Sequence, residues 1–144
     1  MSFELEMRAA ELKITQASEK AIRATALQLF TQVIERTPVG NPDGWKNPAP
    51  PGYIGGTARG NWRTAIGRPE TATVDNRPEA QATGEVNLAV ARFTLADTIH
   101  LSNNLPYIQR LENGWSQQAP AGMVAVTVNE FERVIESEAR RNRV

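Results

Sequence analysis

The chain has 144 residues, enough for one domain with a real core, and its sixteen Lys and Arg are balanced by sixteen Asp and Glu. A neutral chain has no global field to draw in nucleic acid or an anionic membrane, though local patches remain open. Cysteine is absent and His100 is the single histidine, which excludes disulfide scaffolds, thiolate nucleophiles and Cys-based metal sites, and argues against a His-rich metal centre.

No run is long and apolar enough to cross a bilayer, so no membrane partner is expected. Glu4, Glu6, Arg8 and Glu11 come too early for a signal peptide, and the lack of cysteine fits synthesis in a cytoplasm. Residues 1–144 read as a single domain.

The first element is a helix over about 15–36, with a pattern that allows an earlier start. Ile22, Ala26, Leu29, Phe30 and Val33 recur at helical spacing, and Ile14, Ala21 and Ile34 widen the stripe. Glu19, Lys20, Arg23 and Gln28 lie mostly on the other side. Thr37-Pro38 ends it, because the residue before proline avoids the helical region. Residues 38–56 follow as a long Pro/Gly-rich loop holding five of the nine prolines and five of the ten glycines. Neither a helix nor a central strand forms there, and so long a loop is usually functional or ordered by a partner.

A strand is expected over about 61–68, with Trp62, Thr64 and Ile66 on one face and Arg63 and Ala65 on the other. The stretch 84–95 fits either period. The good helix formers Glu79, Ala80, Gln81, Ala82 and Glu85 favour a helix over about 79–93. A second strand spans 97–103, with Ile99 and Leu101 on one face and His100 on the other as a surface or interface residue. Residues 105–113 form a short helix that stops at Asn113-Gly114. Residues 123–128 suit a strand or the first turns of a last helix. That helix runs to about 141 on the apolar face of Met123, Val126, Phe131, Val134 and Ile135. Arg140, Arg141 and Arg143 complement its dipole. The expected class is α+β, a short antiparallel sheet with two longer helices packed on one side.

Three stretches carry a resemblance. The first is Arg36-Thr37-Pro38-Val39-Gly40-Asn41-Pro42-Asp43 with Trp45-Lys46 and Pro50-Pro51-Gly52-Tyr53. The second is Gly55-Gly56-Thr57-Ala58-Arg59-Gly60-Asn61-Trp62. The third runs from Ile99 through Asn103-Asn104-Leu105-Pro106-Tyr107 and Leu111-Glu112-Asn113-Gly114-Trp115 to Met123-Val124. In this order they resemble the tail-completion (neck) proteins of long-tailed bacteriophages, over roughly 36–62 and 99–124. The long loop stands where that family has a tight turn. The resemblance implies a structural virion protein of the head–tail junction, made in the host cytoplasm. It implies a six-fold homo-oligomeric ring that contacts tail tube or tube-terminator proteins and the head connector, with DNA passing through the lumen. It implies no enzyme activity and no cofactor.

Several residues stand out beside the resemblance. Trp45, Tyr53 and Trp115 are interface candidates, whereas Trp62 and Tyr107 are expected in the core. Residues 40–68 set Lys46, Arg59, Arg63 and Arg68 against Asp43 alone. That basic segment could contact a neighbouring subunit or serve an alternative role as a nucleic-acid-binding module. Glu85, Asp97, Arg110 and Glu112 share no helix face with paired carboxylates, so neither a catalytic nor a metal-binding set is expected. Gly55-Gly56 lacks the Lys-Ser/Thr of a phosphate loop.

Overall fold

The computed structural model describes residues 3–40, 51 and 55–143. Most of the 38–56 loop, with the candidates Trp45, Lys46 and Tyr53, lies outside the described residues. The elements are α1 (Phe3–Arg36), α2 (Thr57–Gly60), β1 (Arg63–Ile66), α3 (Glu79–Arg92), β2 (Ile99–Ser102), α4 (Ile108–Glu112), α5 (Val124–Val128) and α6 (Phe131–Arg141).

The mixed class with a two-stranded antiparallel sheet is as expected. β1 pairs with β2 across the intervening α3, with Thr64 opposite Leu101, Ala65 opposite His100 and Ile66 opposite Ile99. This register puts Ile99 and Leu101 on the face that packs against the core and His100 on the other face. The core gathers Ala26, Val33 and Ile34 of α1, Ala82, Val86 and Val90 of α3, and Trp62, Ala119 and Met123 from the connections. The helix that packs on β1 is α3, which also packs on α1, while α6 packs on α1. The two terminal helices therefore pair with each other, and α3 forms the layer next to the strand.

Four expectations change. α1 begins at Phe3 rather than near residue 15, and Ile14 is 58% exposed instead of extending the buried stripe. The cause is the reach of α6, whose start is fixed near the C-terminal end of α1 by Arg36. That guanidinium donates to Thr127 Oγ1 at 2.8 Å and to Glu130 Oε1 at 3.0 Å. α6 then runs antiparallel to α1, and its last turn faces Ile14, Ala17 and Ala21. The last helix is split into α5 and α6 at Asn129-Glu130, where Arg36 holds both sides of the break, and Phe131 is exposed. The single helical turn α2 was not legible in four residues. Tyr107 is exposed rather than in the core, while Trp62 is buried as expected.

Candidate interaction surface

The described parts of the three stretches that carry the resemblance meet in space. The node starts at Thr37, whose hydroxyl donates to Val33 O at 2.7 Å and accepts from Trp62 Nε1 at 2.7 Å. Arg59 closes the end of α1. Its Nε donates to Thr37 O at 2.6 Å and its Nη2 to Glu35 O at 2.8 Å, two carbonyls that the helix leaves without partners. Gly60 is there because nothing larger fits, since a Cβ would lie 1.5 Å from Arg77 O. Asn61 clamps Val74 in both directions, accepting from Val74 N at 2.8 Å and donating to Val74 O at 2.9 Å. Arg59-Gly60-Asn61-Trp62 is thus a four-residue splice that joins α1, β1 and the approach to α3.

The third stretch is tied to the other two. Asn103 Nδ2 donates to Ala58 O at 2.9 Å. Gln118 holds Val39 as a neighbouring strand would, accepting from Val39 N and donating to Val39 O, both at 3.0 Å. Glu112 reaches the start of α5, where its carboxylate accepts from Met123 N, Val124 N and Ala125 N at 2.7, 2.8 and 3.0 Å. Burial works against the Glu112 charge, but the three N–H donors outweigh it and hold the carboxyl below its ordinary range. Gly114 and Gly122 flank this cap with φ of +86° and +85°, and a Cβ on either would press on backbone carbonyl oxygen at 2.4 Å.

An open groove of about 1110 Å³ lies where these parts converge. Its walls include Val39, Leu105, Pro106, Tyr107, Leu111 and Trp115. Trp115 is 74% exposed and Tyr107 is 39% exposed. The Arg110 guanidinium lies over the Trp115 ring, 5.6 Å from its centroid, a cation–π contact. Large aromatic side chains standing in solvent beside an apolar groove are the usual anchors of a protein contact. Gly40 and Gly55 stand together at its edge, since a Cβ on Gly55 would be 3.0 Å from Gly40 O.

The basic candidates divide. Arg59 pairs with Glu79 at 3.4 Å, in addition to its carbonyl bonds. Arg63 pairs with Glu85 at 3.1 Å and Glu70 at 3.6 Å, with its side chain 16% exposed. Both cations are committed to the scaffold. Arg68 is exposed. Glu85 is the centre of an ion cluster, accepting also from Thr64 N at 2.7 Å and from Arg77 Nη2 at 3.1 Å. Arg77 is buried and donates to Gly60 O at 2.8 Å and Trp62 O at 3.0 Å. Burial lowers its pKa and the Glu85 charge opposes that shift. Glu70 is held below the ordinary carboxylate range by the N–H groups of Ala72 and Thr71 and by Arg63.

The four charged residues weighed as a reacting set do not assemble. Glu85 serves the ion cluster and Glu112 caps α5. Asp97 accepts from Thr94 N at 2.8 Å in a tight turn, and Arg110 lies on Trp115. Among the described residues no three His, Cys, Asp or Glu side chains stand together as metal ligands, and no helix is long and apolar enough to cross a membrane. The sequence singled out Trp115 but missed Tyr107 and Leu105 as groove walls. The signal was available in Leu105-Pro106-Tyr107, a proline-led helix start that places its aromatic before the helix rather than inside an apolar stripe. Compared with known proteins, the chain matches no family model, no curated protein and no solved structure.

Proposed function

We propose that this chain is a structural virion protein of a phage head–tail junction. On this reading it assembles as a homo-oligomeric, six-fold ring that joins or completes the tail. Its neighbours are tail tube or terminator proteins and the head connector, and DNA passes through the ring. The observation that carries the reading is that the described parts of the three resembling stretches, Pro38-Val39-Gly40 and Pro51, Thr57-Ala58, and Leu105-Pro106-Tyr107 with Trp115, line one exposed aromatic groove. Their polar side chains maintain its walls instead of facing a substrate. The alternative reading, nucleic-acid binding through Lys46, Arg59, Arg63 and Arg68, loses support because Arg59 and Arg63 are neutralised by Glu79, Glu70 and Glu85. Lys46 lies outside the described residues.

The test is light scattering across a concentration series, together with binding to purified tails that lack this protein. Self-association or tail binding is expected, and Trp115→Ala should weaken it at least ~10-fold, the loss of one hot-spot anchor. A protein that stays monomeric and ignores tail ends refutes the reading. Tight DNA binding that falls steeply with salt and is lost in an Arg59→Ala, Arg63→Ala variant would establish the alternative.

A further inference from the structure

The two edges of the β1–β2 sheet differ. Gly67 N donates to Thr98 O at 2.8 Å, one step beyond the Ile66–Ile99 pair. In an antiparallel ladder alternate pairs exchange their hydrogen bonds, so Ala65–His100 and Arg63–Ser102 are bonded pairs like Gly67–Thr98. The backbone groups of Thr64, Ile99 and Leu101 then point out of the sheet. On the β1 side Thr64 N agrees, since it donates outward to Glu85 Oε1 at 2.7 Å, and α3 packs along that strand. On the β2 side no described group takes up the N–H and C=O of Ile99 or Leu101. An open strand edge is a template for another strand unless charge, proline or a bulge blocks it. Thr98-Ile99-His100-Leu101-Ser102 contains no Asp, Glu, Lys, Arg or Pro.

We propose that β2 of one copy pairs antiparallel with β2 of a second copy, centred on His100, to extend the sheet across a two-fold axis. The spacing selects a second copy as the occupant. Ile99 and Leu101, the residues with outward backbone groups, lie one place to either side of His100. In this register Ile99 of each copy faces Leu101 of the other, and each such pair exchanges both its hydrogen bonds, so no outward group is left over. The side chains match in kind. Ile99 meets Leu101 on the face that packs on the core, and on the other face Thr98 meets Ser102, a hydroxyl pair of the kind that supports cross-strand contacts. A two-fold contact closes on two copies, so it stands apart from the ring, which uses head-to-tail contacts elsewhere on the surface. An edge of four residues buries less than the roughly 1,200–2,000 Å² of a stable pair, so the dimer is weak and forms at high concentration.

Amide hydrogen exchange reads the pairing directly. The His100 and Ser102 amides are bonded to β1 and should be protected at any concentration, whereas protection of Ile99 and Leu101 should rise with concentration. His100→Cys tests the register in a chain with no cysteine of its own. Residues in a non-hydrogen-bonded pair stand about 4.5 Å apart at Cα, within disulfide reach, so this variant should link to itself in oxidised glutathione. Thr98→Cys should stay unlinked, because the two copies of position 98 lie four residues apart, about 13 Å. His100→Glu sets two carboxylates against each other at the axis and should weaken the dimer at least ~10-fold with unchanged circular dichroism and Tm. Trp115→Ala should leave it unchanged, which separates this contact from that of the ring. Exchange at Ile99 and Leu101 that ignores concentration, or Thr98→Cys linking as fast as His100→Cys, would overturn the proposal. Protection of these two amides only when tails are added would assign the edge to a strand of another protein and overturn it as well.

Discussion

Glu85→Ala should be among the most damaging substitutions on the sheet side of the molecule. The carboxylate accepts from Thr64 N at 2.7 Å, Arg63 Nε at 3.1 Å and Arg77 Nη2 at 3.1 Å. The Arg77 side chain is only 7% exposed, so its charge has little water to fall back on. Removing one partner of a buried pair costs about 3–5 kcal/mol. Arg77 keeps its bonds to Gly60 O and Trp62 O, which places the expected loss near the lower end, about 3 kcal/mol. For a chain of this size that corresponds to a fall in Tm of roughly 6–12 °C. Glu85→Gln retains an acceptor for Thr64 N but loses the charge, and should cost about half as much, ~1.5 kcal/mol. Urea unfolding followed by tryptophan fluorescence measures both. The Glu85→Ala deficit should persist at about 1 M salt, where an exposed pair such as Arg140–Glu136 is screened out. A deficit below about 0.5 kcal/mol, or one that disappears in high salt, would refute the description of this cluster as buried and structural.

Two glycines should respond in opposite directions. Gly60→Ala forces a Cβ to 1.5 Å from Arg77 O and should cost more than about 3 kcal/mol, whereas Gly84→Ala in the middle of α3 meets open space and should gain about 0.5–1 kcal/mol, both read from urea midpoints. Thr37→Val keeps the shape but leaves Trp62 Nε1 buried without its 2.7 Å acceptor, so a loss of about 2 kcal/mol is expected in the same assay. The Glu112 carboxyl is held below its ordinary range, so its stabilisation is complete above the unfolded value of about 4.3 and is lost as pH falls through the lower native value. Glu112→Gln should flatten that acid limb of the unfolding curve, and an unchanged limb would refute the cap.

Much of the fold was legible because punctuation and period agree. Thr37-Pro38 stops α1, Asn113-Gly114 stops α4, and the helix formers from Glu79 onward begin α3 where expected. The start of α1 was not legible. Met7 and Ile14 share one side of the helix and Leu12 lies on another, so no single stripe announces these exposed first turns. The break between α5 and α6 is imposed by Arg36 from ninety-odd positions away, which no local pattern encodes. The basic excess around Arg59 and Arg63 was real as arithmetic. It disappears as a surface because its counter-charges, Glu70, Glu79 and Glu85, come later in the chain and are returned by folding. Trp115 was recognisable as an unpatterned aromatic. The groove beside it was not, since its walls come from segments as far apart as Val39 and Gln118.

The adjacency of Gly40 and Gly55 has an engineering corollary. Two backbone positions that stand side by side impose no span on whatever connects them. A foreign peptide inserted between them is anchored at two points that already touch, so it adds only the slowly growing closure entropy of a longer loop, and the pair is a natural grafting port for a label.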